Sequence, residues 1–122
     1  MHKRNLKIGR RGEEAAAHFL EESGYLIIAR NFKSPLGEID IIAKDNDTVC
    51  FIEVKTRSSA RFGSPKEAVS AFKRRQICKS ALIFLKSRRL LEGKARFDVV
   101  SILEGRVELI KNAFELDAAY SY

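Results

Sequence analysis

Gly37-Glu38-Ile39-Asp40-Ile41-Ile42-Ala43-Lys44, then Asp45-Asn46-Asp47, then Thr48-Val49-Cys50-Phe51-Ile52-Glu53-Val54-Lys55-Thr56: this stretch decides the fold. Two β-prone runs flank a turn-forming triplet, which predicts paired strands over Glu38–Lys44 and Thr48–Thr56. Strand side chains alternate faces, so Glu38 and Asp40 share one face of their strand, and Glu53 and Lys55 share one face of theirs. Both runs are otherwise apolar, so these charges interrupt segments that read as buried. Pairing of the strands would bring Asp40, Glu53 and Lys55 to one spot.

Outward from this hairpin, the periodicity predicts a helix from about Arg10 to Ser23, stopped by Gly24. Tyr25–Phe32 reads as a strand, and Ser34-Pro35-Leu36-Gly37 as a type I turn. The three strands then form an antiparallel meander. Downstream, Arg57–Gly63 is a polar loop. Ser64-Pro65-Lys66-Glu67 carries a serine cap, a proline at the first helical position and a capping-box glutamate. These signals start a helix that runs to about Lys86. Arg88–Lys94 is a basic connection, Ala95–Leu103 a strand, Glu104-Gly105 a turn and Arg106–Lys111 a short strand. The element order predicts an α/β fold, a mixed sheet flanked by helices, with a right-handed crossover if the third and fourth strands are parallel. The 122 residues suit one domain, spanning 1–122. Residues 1–9 read as a basic arm, and 112–122 as a tail that packs through Phe114 and Leu116.

Phosphodiester hydrolysis needs phosphate charge neutralised and hydroxide generated near neutral pH, and bound Mg²⁺ supplies both. One or two carboxylates suffice to hold it. Asp40 and Glu53 are the candidate metal ligands, for Mg²⁺ or Mn²⁺. Lys55 could stabilise developing negative charge or position the attacking water. The competing interpretation is a cross-strand ion pair on a solvated sheet face. Helical spacing puts Glu13 on the apolar stripe of Ala16, Ala17 and Leu20, aimed at the sheet. It is either a further metal or water ligand or an acidic residue favoured by the first-turn dipole. In the second helix, Val69, Phe72, Lys73, Gln76, Ser80 and Ile83 share a broad face. Lys73 and Gln76 could reach phosphate there, or Lys73 could snorkel to water at the stripe edge.

The formal net charge is +7 and the pI about 9.6, which favours a polyanionic partner, most simply nucleic acid. Lys3, Arg4, Lys7, Arg10 and Arg11 crowd the N-terminus, and residues 66–94 hold nine Lys and Arg against two Glu. Arg74 and Arg75 fall off the apolar stripe and should face solvent, while Arg57 and Arg61 follow the candidate site. Arg10, Arg11, Arg57, Lys73, Arg74, Arg75 and Gln76 are thus the candidate backbone-gripping residues. A solvated charged face is the simpler alternative. No glycine-rich phosphate loop, HExxH or zinc-ligand pattern occurs, and His2 and His18 form no obvious pair. Cys50 and Cys78 lack metal or disulfide spacing and read as reduced thiols, which suits a cytoplasmic protein. No apolar run approaches a membrane span, and no signal peptide is legible.

Gly37-Glu38-Ile39-Asp40 followed by Phe51-Ile52-Glu53-Val54-Lys55-Thr56-Arg57 resembles the core of the restriction-endonuclease-like PD-(D/E)xK superfamily. Gly12-Glu13-Glu14-Ala15 resembles the early helical glutamate of archaeal Holliday-junction resolvases. The whole chain is similar to the YraN-like family of small bacterial proteins of unassigned function. That similarity includes Gly24-Tyr25, Arg30-Asn31, Phe62-Gly63, Arg96-Phe97-Asp98-Val99-Val100 and Asn112-Ala113-Phe114. The resemblance implies an αβββαβ nuclease core with Asp40 and Glu53 as metal ligands, Lys55 as catalytic lysine, and Glu13 carried over by position. Ile39 stands where the superfamily label has proline. Three functions compete: a Mg²⁺-dependent endonuclease acting on branched or structured DNA, a non-cutting nucleic-acid binder on the same fold, and a protein-interaction module. A homodimer would suit cutting both strands of a junction.

Overall fold

A computed structural model describes residues 3–57 and 69–115, with the backbone alone for residues 3–10. The chain runs through α1 (Lys3–Glu22), β1 (Leu26–Ser34), β2 (Gly37–Asp45), β3 (Thr48–Arg57), α2 (Ala71–Ser87), β4 (Lys94–Leu103) and β5 (Arg106–Phe114). The strands form one five-stranded sheet in the order β1-β2-β3-β4-β5. The β1–β2, β2–β3 and β4–β5 pairs are antiparallel, and β3–β4 is parallel. This is the αβββαβ order of the restriction-endonuclease-like core, with β5 added at one edge.

Each sheet face has its own core. Ala16, Ala17 and Leu20 of α1 pack with Ile41, Ala43, Cys50, Ile52 and Val100. On the other face, Ile77, Cys78, Ala81, Phe84 and Leu85 of α2 pack with Ile39, Ile42, Phe51, Phe97 and Val99. Covering both faces explains why β3 is apolar at successive rather than alternate positions: Val49 to Ile52 are all buried. Cys50 and Cys78 are buried thiols and form no disulfide with each other. Among the described residues no helix is long and apolar enough to cross a membrane.

The end of α1 follows from Gly24. Its φ of +94° lets Tyr25 N–H donate to Leu20 O (2.9 Å) and Gly24 N–H to Glu21 O (3.1 Å). This is the Schellman pattern, and it seats Tyr25 beside Leu20 in the core. The start of α1 differs from expectation. The helix begins at Lys3, so 3–9 extend it instead of forming a separate arm. Lys, Arg and Leu are good helix formers even without an apolar stripe. At the other end of the chain, β5 reaches Phe114 and takes residues 112–114 from the expected tail.

The start of α2 also moves. The capping signals at Ser64–Glu67 lie outside the described residues, and so does Arg61. Ser70 caps the observed helix with extended backbone, and its side chain accepts from Lys73 N–H at 3.2 Å. A helix unbroken from Pro65 to Lys86 is therefore excluded. Its buried face is Ile77, Cys78, Ser80, Ala81, Phe84 and Leu85. Phe72, expected on that face, is 65% exposed because it falls outside this stripe.

Gly37 fixes how closely β2 approaches α2. Its φ is +152°, and a Cβ there would stand 3.0 Å from Gln76 Cβ and 3.1 Å from Ser80 Oγ. Gly37→Ala should therefore destabilise the protein by about 1–3 kcal/mol. Gly93→Ala, at a position with no positive φ and a nearest contact of 3.4 Å, should cost less. Urea denaturation of both variants measures the difference.

Candidate functional site

The β2–β3 ladder stops short of the candidate site. Its last pair is Ile41 with Ile52, yet β2 stays paired with β1 through Phe32–Ile39, Lys33–Glu38 and Ser34–Gly37. Ile39 packs in the α2-side core and Ile41 in the α1-side core, so strict alternation fails across Asp40. Asp40 closes the gap with its side chain: Val54 N–H donates to Asp40 Oδ2 at 2.8 Å. The strands thus part where the two acidic residues meet.

Glu53 lies beside Asp40 and is 7% exposed. The two carboxyls are close enough to share a hydrogen bond when Glu53 is protonated. Burial first, and then the Asp40 charge, push the Glu53 pKa up from 4.5 to about 8. Burial also raises that of Asp40, opposed by the Val54 N–H. Among the described residues, Glu53 Oε2 is a buried side-chain oxygen with no hydrogen-bond donor. Its other oxygen, Oε1, is 3.8 Å from Lys73 Nζ, beyond ordinary hydrogen-bond length.

The remaining sequence candidates distribute unevenly. Glu13 stands in the middle of α1, not in its first turn, so the dipole no longer accounts for it. Its pKa is raised by burial and then by the Asp40 charge, which places it near the pair. With its amide turned to donate, Asn31 Nδ2 lies 3.0 and 3.2 Å from the Glu13 oxygens. Gly12 permits this approach of α1, since a Cβ there would fall on Thr56 Oγ1. Glu38 is exposed, and its charge adds to the rise in the Asp40 pKa. Lys55 is also exposed, and it weighs less on Glu53 than Lys73 does.

The basic candidates are likewise mixed. Arg74 is half-buried and faces solvent only in part. Its Nε donates to Val69 O at 2.9 Å, and its guanidinium lies 5.6 Å from the Phe114 ring centre. Arg75 is exposed, as expected, and so is Arg11. Arg57 ends β3 instead of entering a loop, with Nε donating to Ser101 Oγ at 3.2 Å. Gln76 packs beside Gly37. The side chain of Arg10 lies outside the described residues. His18 is paired with Glu22 at 2.8 Å on the surface of α1.

Sequence reasoning did not single out Asn31 as a partner of Glu13, nor a second buried acid. Asp98 is fully buried, but it accepts from Arg96 Nε (2.9 Å), Arg96 Nη2 (3.0 Å), Asn112 N–H (2.8 Å) and Tyr25 Oη (3.2 Å). Arg96 Nη2 also donates to Asp45 Oδ2 at 2.9 Å. A charge inside Phe97-Asp98-Val99-Val100 was the available signal, the same one that exposed Glu53. The two acids differ in what surrounds them. Asp98 is saturated with donors, whereas Glu53 keeps a bare oxygen next to a second carboxyl. That donor-poor oxygen pair fits a hard divalent cation such as Mg²⁺ or Mn²⁺. Asp40 and Glu53 are two ligands only. Among the described residues no group of three or more His, Cys, Asp or Glu is gathered for a metal, so water or substrate oxygens would complete the shell.

An α/β sheet of restriction-endonuclease-like order, parted to bring two carboxyls together, defines the class. The chain belongs to the uncharacterised protein family UPF0102, whose family model matches residues 12–102. It is 49% identical over 116 residues to a UPF0102 protein of Desulfosudis oleivorans, covering 93% of this chain and 94% of the relative. A UPF0102 protein of Syntrophus aciditrophicus is 50% identical over 116 residues, covering 92% of this chain and 91% of its own. A third, from Geobacter metallireducens, is 48% identical over 116 residues, covering 92% and 95%.

The raised Glu53 pKa makes stability depend on pH. The protonated form favours the fold fully below about 4.5, and that contribution is lost as pH rises to about 8. Without divalent metal, Glu53→Gln should therefore be more stable than wild type at pH 8, by about 1–3 kcal/mol. The difference should shrink toward pH 5. Urea denaturation with a chelator present, at both pH values, provides the measurement.

Proposed function

We propose that this protein is a metal-dependent phosphodiesterase of the endonuclease type, acting on nucleic acid with Mg²⁺ or Mn²⁺ held by Asp40 and Glu53. One observation carries the reading: Glu53 Oε2 is buried without a donor beside the Asp40 carboxyl. A fold does not burden a core strand with this arrangement for stability, and a cation is the simplest group that relieves it. When bound, the ion would acidify a water and offset phosphate charge.

The chain's own groups divide the remaining work. Val54 N–H fixes Asp40 through Oδ2, which leaves Oδ1 for ligation. Glu53 offers Oε2. Lys55, exposed two residues further along β3, faces the solvent from which water and substrate arrive, and can stabilise charge developing on the phosphate. Glu13, held by Asn31, stands near Asp40 and can accept a hydrogen bond from a water. Exposed Arg11 and Arg75 can hold a backbone without reading bases, which suits DNA recognised by shape, including branched DNA. The reading places the protein in the cytoplasm, and a homodimer would address both strands of a junction.

A second reading has its own observation. Lys73 already balances Glu53 at 3.8 Å, which a non-cutting nucleic-acid binder on this fold would also tolerate. Asp40→Asn separates the two. For the enzyme, the substitution should lower cleavage of a DNA junction by roughly a hundredfold or more, as expected when metal stabilisation worth several kcal/mol is lost. Binding to the same junction should persist and weaken steeply with salt. Cleavage by Asp40→Asn at the wild-type rate would contradict the assignment.

A further inference from the structure

The lysine nearest the carboxylate pair is not the one that the strand motif supplies. Lys55 is exposed, whereas Lys73, from the first turn of α2, has Nζ 3.8 Å from Glu53 Oε1. Its charge bears on Asp40 as well as on Glu53. The Lys73 side chain is 38% exposed against 9% for that of Glu53, so one partner is fixed in the core and the other can leave. A lysine has a long flexible stem and a compact charge. The distance is too long for a charge-assisted hydrogen bond, so no short contact holds the ammonium in place.

A divalent ion between Asp40 and Glu53 would meet this ammonium at close range, and like charges at a few ångströms repel strongly. We propose that Lys73 is the resident counter-cation of the Asp40–Glu53 pair: it yields its place to the metal and then contacts the phosphate that the metal draws in. The inference rests on the metal-binding reading of the pair and adds a second lysine to it. While no metal is bound, the Lys73 charge offsets the negative charge of the pair. Released, it stays tethered one side chain away from the centre where phosphate charge must be balanced. The family match over residues 12–102 includes Lys73 and Lys55 alike, so it does not choose between them.

The exchange predicts two effects of opposite sign. Calorimetric titration with Mn²⁺, without nucleic acid, should show Lys73→Met and Lys73→Gln binding the ion roughly threefold to tenfold more tightly than wild type, because a competing charge is gone. Lys73→Arg keeps the charge and should stay near wild type. Lys55→Met should change Mn²⁺ affinity less than Lys73→Met. In single-turnover cleavage of a DNA junction at saturating Mn²⁺, Lys73→Met should be slower by about tenfold or more, the scale of one lost phosphate contact. Equal or weaker Mn²⁺ binding by both neutral variants would overturn the exchange and leave the metal pair intact. Absence of Mn²⁺ binding in wild type and variants alike would overturn the pair itself, and the exchange with it.

Discussion

Asp40 Oδ2 accepts from the Val54 N–H where a backbone carbonyl of β2 would otherwise continue the β2–β3 ladder. Because a side chain takes the place of the main chain, β2 can turn aside toward β1 while β3 continues alongside β4. The parted strands admit groups from both faces of the sheet. Glu53 approaches with Lys73 on the α2 side, and Glu13 approaches from α1. An uninterrupted ladder would have held Asp40 to one face and kept α1 and α2 from addressing the same pair.

Two buried acids on adjacent central strands show how differently one fold treats a charge. Asp98 receives four donors, including a bidentate Arg96, and ties β4 and β5 to the α1–β1 connection through Asn112 and Tyr25. Its desolvation is compensated within the chain. Glu53 receives none at Oε2, and burial beside Asp40 favours its neutral form. Asp98 is a structural clamp by this measure. Glu53 costs stability near neutral pH, the usual condition of a group kept for binding or chemistry.

The strands were legible because each is a β-branched or aromatic run bounded by turn residues. Asp40 and Glu53 were legible because a charge in such a run needs a reason. The origin of α1 was not, since residues 3–9 carry helix propensity without the apolar period that announces a packed helix. Ser70, which sequence spacing did not single out, caps α2. The observed stripe of α2 leaves Phe72 outside the core, and Arg74 lies over Phe114. Helical spacing leaves Lys73 between the site and the stripe edge. Its partner lies on a strand twenty residues earlier, and only tertiary packing brings the two together.

The most direct test is an anomalous difference map from crystals soaked in Mn²⁺. The account predicts a peak bound by both Asp40 and Glu53, with oxygens at about 2.1 Å and waters filling the remaining positions. The Lys73 ammonium should have moved away from Glu53. A map with Mn²⁺ elsewhere and none between the two carboxyls would contradict the account.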